Sequence, residues 1–231
     1  MDAITGLFEI DWSREDLERV KHTIVKKYNA EIHSQTAIEA VLELKRRHQF
    51  MADEVEQVNL EIFDVAYNII GGGDEGDRTS GINTKEQADH SLPYILAVAI
   101  LDGQVTPEQY RLERIRRSDV QGLLRRVTVS PNVAYSERFP NEMPCRIAVR
   151  LRDGRTLIKE MRDYPGFFSQ PMTWDMASGK FERLAEPYTT VSERRAIAEA
   201  VSELENTQVS DLMLLLAGVR APHGCGGGEY V

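Results

Sequence analysis

Cysteine is nearly absent from this sequence. Cys145 and Cys225 stand far apart and outside any C-x-x-C spacing, which argues against a disulfide framework or a zinc knuckle and makes a reducing cytoplasmic compartment the expectation. Long apolar runs are missing too. The longest, residues 92–101, is about half of the roughly 20 residues that a membrane-spanning helix needs. The first dozen residues, MDAITGLFEIDW, carry acids early and lack the basic start and apolar stretch of a secretion signal, so a soluble protein is expected. Basic charge is in deficit: 28 Lys and Arg against 37 Asp and Glu give a net charge of −9. That argues against a nucleic-acid or anionic-membrane surface, although a local basic pocket for a small anion remains compatible with it. No G-x-S-x-G elbow, P-loop, H-E-x-x-H or dinucleotide fingerprint occurs, so spacing alone names no reaction.

What is there is ordinary globular material, 42% hydrophobic and 28% charged, enough for one large domain or two small ones. Residues 14–27 read as a helix with Leu17, Val20, Ile24 and Val25 on one face, and residues 28–33 as a break. Residues 36–48 read as a second helix, in which Thr36 and Glu39 have capping-box spacing and Ile38, Val41, Leu42 and Lys45 share a side. Val58, Leu60 and Ile62 alternate with polar residues, the mark of a half-buried strand. A loop is expected from Gly71 to Asn83. One buried helix then covers residues 84–102, with Ser91 as a cap ahead of Pro93 and Gly103 as the stop. Further helices are expected at 107–114 and 119–126.

The period then changes to two. Val127 and Val129 alternate, then Ile147, Val149 and Leu151, and Asp153-Gly154 introduces a last strand at 156–159. Helices return at 174–185, 191–204 and 209–216, and a glycine-rich tail with His223 and Cys225 is expected to be disordered. The class is α+β with a small, largely antiparallel sheet. There is no internal repeat.

Two histidines stand in suggestive places. His33 follows Lys26, Lys27 and Glu31 at a break just before a helix, where unpaired N–H groups favour carboxylates, lysine adds charge and histidine can move a proton. A solvated loop with a capping histidine is the other reading of the same residues. His90 follows Asp89 at the entry to the buried helix, as an oriented acid/base, an anion ligand or a histidine that seats the helix. The basic run Arg111, Arg114, Arg116 and Arg117 reads as a solvated helix face.

Three stretches resemble the MmgE/PrpD (2-methylcitrate dehydratase-like) family. Tyr28 to Ala40, YNAEIHSQTAIEA, resembles its (N/P)AE-x-HSQ-x-A-x-E segment, and Thr84 to Tyr94, TKEQADHSLPY, resembles its T-[KR]-E-x-ADHS segment. Pro171 to Asp175 with Lys180-Phe181 resembles its P-[ML]-[ST]-W-[DE] … K-F segment. The resemblance implies an α+β lid domain inserted before the last helices of a large all-helical domain, with a cleft that takes small di- and tricarboxylates without metal or organic cofactor. It implies Lys26 and His33 as catalytic residues and Lys27, Ser34, Gln35 and His90 as substrate-binding residues. Lys27 and Asn29 stand where other branches often have proline.

Members of the family are much longer, and their N-terminal helical domain is what this sequence lacks. The expected organisation is therefore a remnant of the helical domain at 1–20, the lid at 21–168, returning helices at 169–218 and a tail at 219–231. The implied activity is the C-terminal part of a lyase that dehydrates 2-methylcitrate or a related hydroxy-polycarboxylate in propionate catabolism. An N-terminal helical partner subunit would complete it, and self-association would cover its late apolar helices. A decarboxylase or epimerase of the same family, or a non-catalytic interaction subunit that keeps the lid fold, is the alternative.

Overall fold

The structure is a computed structural model that describes residues 11, 13, 18–73 and 81–219. The predicted disordered tail, with His223 and Cys225, lies outside the described residues. The chain divides into two compact units, one ending at Pro171 and the other starting at Met172.

The first unit is built on a mixed four-stranded sheet. Its strands are β1 (Val55–Ile62), β2 (Val127–Pro131), β3 (Cys145–Leu151) and β4 (Thr156–Met161), in the order β2-β1-β3-β4. β1 pairs in parallel with β2 and antiparallel with β3, and β3 pairs antiparallel with β4. The alternation in β1 points Val58, Leu60 and Ile62 inward. Opposite them the register brings Val149, Ile147 and Cys145 to the same face. Asp153-Gly154 makes the β3–β4 turn, where Gly154 takes φ +90 and Leu151 N donates to Arg155 O at 2.8 Å.

Among the described residues the first unit holds seven α-helical segments. They are α1 (Gln35–His48), α2 (Asp64–Ala66), α3 (Lys85–Asp89), α4 (Leu92–Asp102), α5 (Leu112–Ile115), α6 (Ser118–Leu124) and α7 (Val133–Ser136). α1 packs on β3 and β4, and α4 packs on α1, α6 and β2, so every residue of α4 from Leu92 to Ile100 is buried. An all-round apolar sequence suits that position. Lys45 ties the two long helices together: its ammonium donates to the carbonyls of Ile100 and Leu101 at the end of α4. Burial lowers the Lys45 pKa, against the opposing pull of Asp102.

Several sequence expectations change here. Residues 14–17 lie outside the described residues, and the remainder of the predicted first helix is a 3-10 turn, Arg19–His22, followed by extended chain. Thr23, Ile24 and Val25 are three consecutive β-branched residues, and Val25 N donates to Gly166 O at 2.7 Å instead of to its own turn. Thr36 and Glu39 form no capping box, because a 3-10 turn, Ile32–Ser34, starts the helix earlier. It leaves Thr36 buried inside α1 with its hydroxyl unpartnered. The single helix expected over 84–102 is two, α3 and α4, parted where the Ser91 hydroxyl caps Tyr94 N at 3.2 Å. The helix expected over 107–114 breaks at Arg111, which is extended (ψ 141) between the 3-10 turn Pro107–Tyr110 and α5. Gly71, expected in a loop, ends a π-turn, Tyr67–Gly71, that continues from α2.

Nor is the arginine run simply a solvated face. Arg114 is mostly buried, its guanidinium 2.6 and 3.0 Å from Asp102 and 3.0 and 3.2 Å from Asp119. Gln109 donates to the same Asp102 at 3.0 Å.

The second unit contains α8 (Trp174–Ala185), α9 (Val191–Ser202) and α10 (Val209–Ala217). Threonines cap the first two: Thr173 accepts from Met176 N and Thr190 from Glu193 N. Arg194 is buried within the unit and bonds Glu182 at 2.7 Å and Thr189 O at 2.9 Å. Its apolar side chains are largely in solvent, with Val209, Met213, Leu214 and Leu216 all exposed on α10.

Candidate functional site

The candidate residues gather in the segment that leads from extended chain into α1. Its course is fixed by main-chain bonds to distant parts of the first unit: Val25 N to Gly166 O at 2.7 Å and Asn29 N to Val105 O at 3.3 Å. Gly166 is obligatory there. Its φ is +121, and a Cβ would overlap the Val25 carbonyl oxygen. The partner loop is itself shaped by buried Asp163, whose carboxylate accepts from Ser169 Oγ and Gln170 Nε2.

Gln35 closes the segment from inside. It is fully buried, its Oε1 accepts from Tyr28 N at 2.9 Å, and its Nε2 donates to Tyr28 O at 3.2 Å and Ala30 O at 3.3 Å. Ser34 is equally buried and donates to Glu31 O at 2.6 Å. The polar groups of both side chains are engaged with the backbone of their own loop.

Lys27 and Lys26 differ. Lys27 is half-buried, and its Nζ lies 2.5 Å from Glu39 Oε2 and 5.4 Å from the Tyr28 ring centroid. The same Glu39 oxygen accepts from Tyr28 Oη at 2.6 Å, while Arg46 lies 3.4 Å from the other oxygen. Glu39 is thus a nearly buried carboxylate compensated by two cations and a phenol, the arrangement that a buried charge requires. Lys26 sits one residue earlier, exposed at the surface.

His33 is the most constrained of the candidates. Its Nδ1 is 2.7 Å from Glu31 Oε1, while Glu31 Oε2 accepts from the His33 backbone N–H, also at 2.7 Å. Both side chains are only about one-seventh exposed, at 15% and 14%. On its other sides the imidazole meets Phe63 edge-on at 5.7 Å and Phe139 at 5.8 Å, and those two rings stack at 4.5 Å. Nε2 has no hydrogen-bond partner among the described residues and is not one of their sealed, unpartnered polar atoms. The ring is thus held at one nitrogen by a carboxylate, with aromatic walls beside it, the set-up of an oriented general base or acid.

His90 stands just ahead of α4. It is exposed at the end of α3, and its Nδ1 lies 3.1 Å from Glu86 O. No hydrogen bond, ion pair or ring contact joins it to residues 26–35 among the described residues. Among those residues, no group of three or more His, Cys, Asp or Glu side chains could hold a metal ion. Cys145 is fully buried, and burial pushes its thiol well up, which makes it inert as a nucleophile.

Glu31, Glu39 and the Phe63–Phe139 pair were not singled out by sequence reasoning. For Glu31 a signal existed: an acid two residues before a histidine at a helix entry is placed to accept from the backbone N–H there. For Phe63 and Phe139 none did, because only the folded chain brings them to residue 33.

Residues 28–206 match the model of the MmgE/PrpD C-terminal domain; Lys26 and Lys27 lie just ahead of the match. The chain is 23% identical over 227 residues to cis-aconitate decarboxylase of Mus musculus, which covers 90% of this chain and 44% of that protein. It is 26% identical over 145 residues to 2-methylcitrate dehydratase of Salmonella typhimurium, covering 60% of this chain and 29% of that protein. It is 23% identical over 174 residues to the mitochondrial 2-methylcitrate dehydratase of Yarrowia lipolytica, covering 71% and 32%. The chain thus spans less than half the length of these curated relatives.

Proposed function

Because the chain belongs to the MmgE/PrpD family, matching its C-terminal domain, we propose that it is the C-terminal part of a cofactor-independent lyase that dehydrates 2-methylcitrate or a related hydroxy-polycarboxylate. A helical N-terminal partner would supply the other wall of the cleft. The observation that carries this reading is that the family's matched region contains His33 with its ring held at Nδ1 by Glu31, so that Nε2 is left for other partners.

In the proposed reaction His33 removes the proton from the carbon next to a substrate carboxylate. The electron pair of that C–H bond forms the new C=C bond as the C–O bond on the neighbouring carbon breaks, and the departing hydroxide leaves as water once protonated. Lys26 binds the carboxylate on which negative charge accumulates, and His90 binds a second carboxylate. Lys27, held by Glu39, adds positive potential, and Ser34 and Gln35 shape the loop that presents His33.

A second reading has its own support, since the similarity to the mouse cis-aconitate decarboxylase runs over 90% of this chain. There the bond that breaks joins carbon to a carboxylate, carbon dioxide leaves, and the carbanion takes up a proton. The same acid/base group serves both.

The test is to purify the natively expressed chain with whatever accompanies it, identify the companion by mass spectrometry, and assay the complex. Substrates are 2-methylcitrate, citrate, cis-aconitate and iminodisuccinate, with water loss and carbon dioxide release followed separately. Turnover that falls by about 10²-fold or more in His33→Gln is expected. A stoichiometric helical companion without turnover on any of the four overturns the reading.

A further inference from the structure

We propose that Glu31 is the positioning residue that fixes the neutral His33 ring in the tautomer protonated at Nδ1, leaving Nε2 bare as the proton-accepting atom; this rests on the reading that His33 moves the substrate's proton. Glu31 uses both oxygens on one residue, Oε1 on the ring Nδ1 and Oε2 on the backbone N–H, each at 2.7 Å. An ionised carboxylate only accepts, so the hydrogen in the Oε1–Nδ1 contact sits on the imidazole. The other neighbours of the ring, Phe63 and Phe139, offer no hydrogen bond. Glu31 is therefore the polar anchor of the ring among the described residues. A ring flip would cost the Nδ1 bond and set a C–H against the carboxylate.

Capping alone does not account for this arrangement. Accepting from the His33 N–H takes one oxygen, which Asp, Asn or Ser supplies in most helix entries. The second oxygen reaches the ring, and it is the one that selects which nitrogen works. A histidine held by a carboxylate at one nitrogen is driven to present the other, and the developing imidazolium is stabilised when the proton arrives.

The substitution Glu31→Gln separates the two duties. The glutamine carbonyl keeps the backbone N–H satisfied, and its amide then offers a donor to Nδ1, which favours the opposite tautomer with hydrogen on Nε2. The measurement is a long-range proton–nitrogen correlation spectrum of the full-length chain labelled with ¹⁵N-histidine, at a pH alkaline enough for neutral imidazoles.

The expected result is hydrogen on Nδ1 of His33 in the wild type and a shift toward Nε2 in Glu31→Gln. Hydrogen on Nε2 in the wild type overturns the proposal, and that arm stands even if the variant fails to fold. A folded variant with an unchanged tautomer overturns it as well. In the partner-completed enzyme, Glu31→Gln should lower kcat about 10²-fold or more while KM moves little. An unchanged kcat overturns the positioning role. Absence of turnover in the wild-type complex instead overturns the lyase reading, and the tautomer result still decides the Glu31–His33 geometry.

Discussion

Replacing Gly166 by alanine should be among the most damaging single-methyl changes in the first unit. Two costs add. The residue sits at φ +121, where an L side chain is strained by about 1–3 kcal/mol. Its Cβ would also overlap the Val25 carbonyl oxygen and lie 3.1 Å from Tyr164 Cε2, and the first of these is backbone, which cannot swing away. Relief means parting the two strands of chain and losing the 2.7 Å bond from Val25 N to Gly166 O, worth about 1 kcal/mol. The sum is about 2–4 kcal/mol. Gly154→Ala is the control, because Gly154 has φ +90 with nothing within 4 Å of a built Cβ, so it reports strain alone. Urea unfolding followed by far-UV circular dichroism compares them, and amide exchange at Val25 should accelerate only in Gly166→Ala. Equal loss of stability in the two variants would refute the argument that contact with Val25 makes glycine obligatory.

Arg114→Met should cost about 2–4 kcal/mol in the same unfolding assay, since it strands Asp102 and Asp119 together. Arg114→Lys should recover only part of the loss, because an ammonium cannot reproduce the forked geometry; full recovery would show that charge alone suffices. Asp119 gives a pH dependence. Burial pushes its carboxyl upward, but the Val120 N–H and the Arg114 guanidinium outweigh it and hold the carboxyl below its ordinary range. A depressed carboxyl stabilises fully above the unfolded value of about 3.9 and loses that contribution as pH falls through the folded one. The stability gap between wild type and Asp119→Asn should therefore be widest near neutrality and close in strong acid; a gap that widens on acidification contradicts the sign.

Local chemistry explains what could be read ahead of the structure. The alternation of Val58, Leu60 and Ile62, the Asp153-Gly154 turn and the Ser91 cap before Pro93 are each set by residues within one element, and each appears as expected. The extended course of residues 23–26 was illegible because its partner, Gly166, is far along the chain. Arg111 breaks a helix that its neighbours favour, and Arg114 turns inward to two carboxylates, each on a helix other than its own. At the candidate site the loop's position before α1 was legible, and so was the presence of His33 within it. The aromatic walls were not, since Phe63 and Phe139 meet His33 only after β1 has found its place.

That placement sets an order of events during synthesis. β1 lies in the interior of the sheet, yet its partners β2 and β3 begin at Val127 and Cys145, and the clasp on Val25 waits for Gly166. A ribosome adding about 5–20 residues per second needs roughly seven to thirty seconds to travel from Lys26 to that glycine. Through this interval α1 and α4 can already pack, because both lie before Gly103. The loop carrying Lys26 and His33 is made before its clasp and gains the bond from Val25 to Gly166 only when the first unit is nearly complete.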